Sequence, residues 1–173
     1  MTTNANLEKL LAASKQSSLT TAVGYIGKEV ESKGNTGVVA GGQGAFSYIL
    51  PKAAASAEIT ITNASGSVVF KGKGDVKEGR NIVVWDGINS TTGAQEADGT
   101  YKISVTALDS SNKAITAETR AVATATGVET DTSGNVLLTV GSTKLNFTDV
   151  LAVREPSRAD LTTAGTANSG TSG

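Results

Sequence analysis

Tyr101, Ile103, Val105 and Ala107 alternate with Lys102, Ser104 and Thr106, so alternate side chains can enter a core while their neighbours face water. This is the sharpest period-two signal in the chain, and it is repeated in weaker form almost throughout. Phe46, Tyr48 and Leu50 alternate up to Pro51, and Glu58–Thr62 alternates before the Asn63-Ala64-Ser65-Gly66 turn. Ser67–Phe70 and Asn81–Trp85 read as further strands, the second stopped by Asp86-Gly87. Tyr25–Val30 reads as a short strand before the Gly34-Asn35-Thr36-Gly37 turn, with Val38-Val39 after it. Beyond the Asp109–Asn112 turn a strand is expected from about Ala114 to Ala125. Val136–Val140 and Lys144–Phe147 flank Gly141-Ser142-Thr143, and Val150–Val153 closes the set. Strands at this spacing, with no helical stretch between them, predict an all-β sandwich or barrel.

Residues 1–21 read differently. Leu7, Leu10 and Leu11 fall at i, i+3 and i+4 and share one helical face, with Asn4 or Asn6 available as a cap. The helical pattern fades at Ser17-Ser18, and a helix this short is marginal unless it docks; a disordered leader is the other reading. Residues 154–173 are small and polar and read as a disordered tail.

Composition limits the chemistry. There is no cysteine and no histidine among the 173 residues, so disulfides, Cys/His zinc sites and His-dependent nucleophilic catalysis are excluded. A formal charge of −1 and a pI near 5.5 leave no basic footprint for nucleic acid. No apolar run is long enough to span a membrane, and no cleavable secretory signal is visible. Gly, Ala, Ser and Thr fill nearly half the chain, and there are only seven aromatics. The core must therefore be thin, with Phe46, Trp85 and Tyr101 as its expected anchors.

The turn dipeptides Asp86-Gly87 and Asp98-Gly99 bracket a loop that follows Trp85 and precedes Tyr101. The structural reading makes Trp85 core, the Asp-Gly pairs turns, and Tyr101 the tyrosine of an immunoglobulin-type corner. The functional reading makes Asp86 and Asp98 calcium or sugar ligands with Trp85 as a stacking platform; Glu96 is the only further carboxylate in the loop, too few for a full calcium shell. Lys71, Lys73, Lys77 and Arg80, interleaved with Asp75 and Glu78, read as a solvated edge that blocks strand-to-strand aggregation. Gly41, Gly42 and Gly44 match no phosphate-binding fingerprint. No carboxylate pair suggests glycosidase chemistry, and no cofactor is expected.

The order of these motifs resembles the flagellar hook-capping (FlgD) family. The resemblance is carried by Leu7-Glu8-Lys9-Leu10-Leu11, Ile26-Gly27-Lys28-Glu29-Val30, Phe46-Ser47-Tyr48, Ile59-Thr60-Ile61 with Ser65-Gly66, Val83-Val84-Trp85-Asp86-Gly87, Asp98-Gly99-Thr100-Tyr101 and the closing hairpin into Asp149-Val150. Trp-Asp-Gly and Asp-Gly-Thr-Tyr recur in many bacterial Ig-like modules; the ordered set is more specific. The resemblance implies a fibronectin type III or Ig-like sandwich over 46–120, inserted into a small Tudor-like barrel built from 22–45 and 121–153. It implies a non-enzymatic scaffold, exported by the flagellar type III system, that sits at the distal end of the growing hook. Its partners would be hook subunits and further copies of itself in a cap ring, five by family analogy, with Leu7, Leu10 and Leu11 as candidate contacts. The chain begins at Met1-Thr2-Thr3-Asn4 without the Gln-rich, Asp-Pro-containing N-terminal region of the family, which reads as a truncation or an unusually short member. The alternative is a generic Ig-like adhesion or carbohydrate-binding module using Trp85, Asp86 and Asp98.

Overall fold

A computed structural model describes residues 2–141 and 143–156. One helix, α1 (Thr2–Val23), precedes thirteen strands. These are β1 (Glu29–Lys33), β2 (Thr36–Ala40), β3 (Gln43–Leu50), β4 (Ser56–Thr62), β5 (Val68–Lys73), β6 (Gly79–Trp85) and β7 (Gly99–Leu108). They continue with β8 (Ala114–Ile115), β9 (Glu118–Thr124), β10 (Gly127–Thr130), β11 (Val136–Val140), β12 (Thr143–Asn146) and β13 (Val150–Arg154). The described residues are thus mostly strand, with one α-helix at their N-terminal end.

Ten strands share one hydrogen-bonded sheet in the order β13-β1-β9-β3-β2-β7-β4-β5, with β6 on the free side of β3 and β8 on β7. The sheet folds over at the β2–β3 hairpin. Only Val39 with Gly44 and Ala40 with Gln43 pair there, after which β2 runs on against β7 and β3 against β6 and β9. The strands β13-β1-β9-β3-β6 form one layer and β2-β7-β4-β5 the other. Gly37 marks how closely the layers approach, since a Cβ there would meet the Phe46 ring at 2.5 Å. β10, β11 and β12 make a separate three-stranded sheet, and among the described residues neither sheet closes into a barrel.

Alternation decides which side chains lie between the layers. Phe46, Tyr48 and Leu50 from β3, Val83 and Trp85 from β6, Ile59 and Ile61 from β4, and Tyr101 and Ile103 from β7 belong to one buried cluster. A second cluster gathers Ala22, Val30, Ala125, Val136, Leu138 and Val140, with Leu19, Tyr25 and Phe147 packed against it. Tyr25 and Phe147 meet there with ring centroids 5.5 Å apart. The two clusters separate in sequence, one drawing on 39–117 and the other on the segments either side.

Several elements depart from the sequence expectations. The helix runs through Ser17-Ser18 to Val23, and Asn4 and Asn6 lie inside it instead of capping it. Ser18, Thr20 and Thr21 each donate a side-chain hydroxyl to the carbonyl four residues back, which satisfies groups that otherwise compete with the helix. Leu19 and Ala22 then bury its last turns, and Lys15 Nζ donates to Ser133 O at 3.0 Å. Tyr25–Lys28 forms a turn, so the first strand starts at Glu29. The single strand expected over 114–125 is two, because β8 pairs with β7 in one layer whereas β9 pairs with β3 and β1 in the other. β10 was not expected, and Phe147 lies in a 3-10 turn instead of a strand. The expected tail is shorter at its start, since Arg154 belongs to β13; its remainder, 157–173, lies outside the described residues.

Arg80 is the largest correction. It does not belong to a solvated edge; it turns onto Glu31, which is 1% exposed. One Glu31 oxygen accepts Arg80 Nε at 2.6 Å and Ser47 Oγ at 2.9 Å, and Arg80 Nη2 approaches it to 2.5 Å as an ion contact. The other accepts Arg154 Nη1 at 3.0 Å and faces Arg120 Nη1 at 3.6 Å. Glu118 accepts Arg120 Nη2 at 2.8 Å, and Glu29 lies 3.8 Å from Arg80. Glu29, Glu31 and Glu118 thus balance Arg80, Arg120 and Arg154 in charge. The group spans β1, β3, β6, β9 and β13, where strands of the two hydrophobic clusters meet.

Burial pushes the Glu31 carboxyl up, but hydrogen bonds from Arg80, Ser47 and Arg154, with the charge of Arg80, outweigh it and hold the group below its ordinary value. Because the folded value is depressed, the stability Glu31 contributes is complete above the unfolded value of about 4.3 and is lost as pH falls through the folded one. Glu31→Gln should therefore lower stability at neutral pH by roughly 3 kcal/mol, and the gap to the parent should narrow on acidification below about pH 4. Urea unfolding across that range measures it; a pH-independent gap would refute the ion network as its source. In the larger core, Trp85→Ala should cost about 3–5 kcal/mol by thermal or urea unfolding, because it empties the largest fully buried side chain in the protein.

Candidate functional site

The loop between β6 and β7 assembles the residues singled out by sequence. Trp85 is 2% exposed; its indole Nε1 donates to Ile88 O at 3.0 Å. Its ring meets Tyr101 edge-on at 5.1 Å, and Phe70 lies 6.5 Å away. A ring enclosed in this way offers no face to a sugar, which removes the stacking platform from the carbohydrate reading. The Tyr101 hydroxyl donates to Ala97 O at 2.6 Å, four residues upstream, as the tyrosine of a corner does. Burial, then the charges of Glu96 and Asp98, push the phenol up from its ordinary value.

Asp86 and Asp98 are engaged by backbone. Asp86 Oδ1 accepts Ile88 N–H at 3.0 Å and shapes the turn. Gly87 takes a positive φ of 71° there, and a Cβ on it would lie 2.5 Å from Gly42 O. Asp98 uses both oxygens across the fold, accepting Gly42 N–H at 3.0 Å and Gly41 N–H at 2.9 Å from the β2–β3 turn. Those two bonds hold its carboxyl below the ordinary value. Gln95 Nε2 adds bonds of 3.3 Å to Gly42 O and Asp86 O, and Glu96 accepts Asn89 Nδ2 at 2.8 Å. Gly99 opens β7 directly after Asp98. The constellation is a latch that fastens the 86–98 loop to the β2–β3 turn. Among the described residues no group of three or more acidic side chains could hold a metal ion.

Leu7, Leu10 and Leu11 lie far from this corner, on the first half of α1, and are 58–67% exposed. The helix meets the body chiefly through β10 and β11, and its buried residue is Ala22. The expected leucine face therefore exists as a stripe with no partner among the described residues. The structure brings Trp85, Asp86, Gly87, Asp98, Gly99 and Tyr101 together; it leaves the leucines apart, and Phe46 serves the core beneath.

Two features escaped the sequence reading. Glu31 gave no signal, since one glutamate in Glu29-Val30-Glu31-Ser32-Lys33 looks like any exposed strand residue. Its arginines come from positions 80, 120 and 154, and only the fold places them together. A shallow groove of about 400 Å³ lies where β2, β3 and β9 meet the Gly141 turn, with Val38, Ala45, Val84 and Val122 in its walls. Among the described residues no helix is long and apolar enough to cross a membrane.

Residues 32–111 match the family model of the FlgD Ig-like domain. Among solved structures, FlgD from Xanthomonas campestris, described as giving insight into the hook capping essential for flagellar assembly, is 22% identical with a TM-score of 0.68. The match covers 79% of this chain and 99% of that one. FlgD from P. aeruginosa is also 22% identical, with a TM-score of 0.59 and coverage of 75% and 98%. No curated protein matches. The domain match lies across the latch and its sandwich, and the fold shared with the solved FlgD structures extends beyond it to three quarters of the chain or more.

Proposed function

We propose that this chain is the body of a flagellar hook cap, a non-enzymatic scaffold that holds newly exported hook subunits at the distal end of the growing hook while they insert. The observation that carries the reading is the FlgD Ig-like match over 32–111, joined to the fold of the X. campestris hook-capping structure. In this reading 46–120 serves as the Ig-like unit and 22–45 with 121–153 as the Tudor-like one. Several copies form the cap, five by family analogy.

The chemistry of the molecule suits such a task. The turn acids are spent on backbone N–H groups, and the sequence offers neither histidine nor cysteine for covalent work. A chain without cysteine can pass through an export channel unfolded and reform outside without oxidative steps. Contacts with a subunit would come from surfaces instead of a pocket, and the Leu7, Leu10 and Leu11 stripe is the one that helix geometry presents most openly.

Expression in a flagellated strain deleted for its own cap protein tests the reading, with the chain used alone and with the family's N-terminal region fused ahead of it. Hooks should return at least with the extended version; their absence with both would overturn the assignment. Replacing Leu7, Leu10 and Leu11 together by Ser should leave the melting temperature within about 3 °C of the parent, because none of the three is buried. Binding to purified hook subunits should weaken about tenfold or more. Unchanged binding would remove the stripe from the contact surface.

A further inference from the structure

The free edge of β6 is built differently from the other two long edges of the large sheet. β5, at one end, carries Lys71 and Lys73, and its pairing with β4 is broken by a register shift at Ile61/Thr62. β13, at the other end, has a register shift opposite Glu31/Ser32. Both devices discourage a further strand from adding. β6 has neither. Its seven residues pair with β3 in unbroken register from Leu50↔Gly79 to Gly44↔Trp85, and among the described residues no strand pairs with its other side. It holds no proline and no lysine, its one cation is turned onto Glu31, and Ile82 and Val84 project outward at 44% and 53% exposure.

The sequence of this edge is complementary to itself. From Arg80 to Asp86 it reads Arg-Asn-Ile-Val-Val-Trp-Asp, with Val83 at the centre. Antiparallel pairing about Val83 sets Ile82 opposite Val84 of a second copy, and Val84 opposite its Ile82. The same register sets Arg80 opposite Asp86 of the second copy, and Asp86 opposite its Arg80. All four of these residues lie at even positions and so share the outer face, since Asn81, Val83 and Trp85 are buried. Arg80 directs Nε and Nη2 to Glu31, and Nη1 is not used in those contacts. Asp86 is exposed and uses Oδ1 for the turn, which leaves Oδ2.

We propose that β6 is a self-association edge, at which two copies of this chain pair antiparallel about Val83 and join their sheets. Unpaired backbone N–H and C=O groups call for another strand, apolar pairs on one face reward it, and the terminal Arg–Asp pairs fix the register. A contact of this kind is used up by two copies, so it is distinct from any ring contact of a cap and does not depend on that role.

The full chain should show a molar mass rising from 17.4 kDa toward twice that value as its concentration goes from about 10 µM to about 1 mM. Val84→Lys, at an exposed site, should keep the circular dichroism and melting temperature of the parent and raise the dissociation constant at least about tenfold. Since the native chain has no cysteine, Ile82→Cys and Val84→Cys report the register directly. A mixture of the two variants should form disulfide-linked pairs under mild oxidation faster than either alone. Constant monomer mass, undiminished association of the lysine variant, or equal cross-linking by one cysteine variant alone would each overturn the proposal.

Discussion

One buried carboxylate organises the junction on which the rest of the fold depends. Glu31 is almost fully enclosed, and an isolated charge there would be strongly unfavourable. Arg80, Arg120 and Arg154 converge on it from three other strands, with Ser47 on a fourth, so the charge is tolerable only when β1, β3, β6, β9 and β13 are all in place. The network therefore acts on specificity as well as on stability. It pins the register of the strands that continue the sandwich into the flanking segments, where a one-residue slip would turn each of these side chains to the opposite face.

The thin core makes that arrangement necessary. Much of the sequence is too small to bury much area per residue, so the larger cluster leans on a few bulky side chains, Phe46, Tyr48, Trp85 and Tyr101. Polar bonds hold the places that bulk does not fill. Asp98 fastens the loop over Trp85 to the β2–β3 turn, and the Tyr101 hydroxyl fixes the start of β7. The smaller cluster is closed by α1, whose last turns supply Leu19 and Ala22 while its leucines remain outside.

Strand positions were legible wherever one face is buried and the other wet. β3, β4, β6 and β7 follow the alternation of their residues, and the Asp-Gly pairs mark the turns around Trp85 and Tyr101 as local chemistry requires. The helix was legible as a leucine stripe but not in length, because its later turns are held by hydroxyls bonded to the chain and by docking. β10 was not legible, since its four residues, Gly127-Val128-Glu129-Thr130, alternate too briefly to show a period. The change of layer between β8 and β9 left no mark either: pairing partners are a property of distant segments.

What the sequence determined by itself is therefore the local part: an all-β body, its turns, the residues with enough bulk to anchor a core, and the absence of thiol and imidazole chemistry. These follow from side-chain period, backbone preference and composition, which act over a few residues. The tertiary structure decided which strands share a layer, that neither sheet closes among the described residues, that Arg80 is an internal partner instead of a surface charge, and that β6 pairs on one side alone among the described residues. Each of these depends on groups far apart in the chain, and their energies exist only once the chain has brought them within a few ångströms.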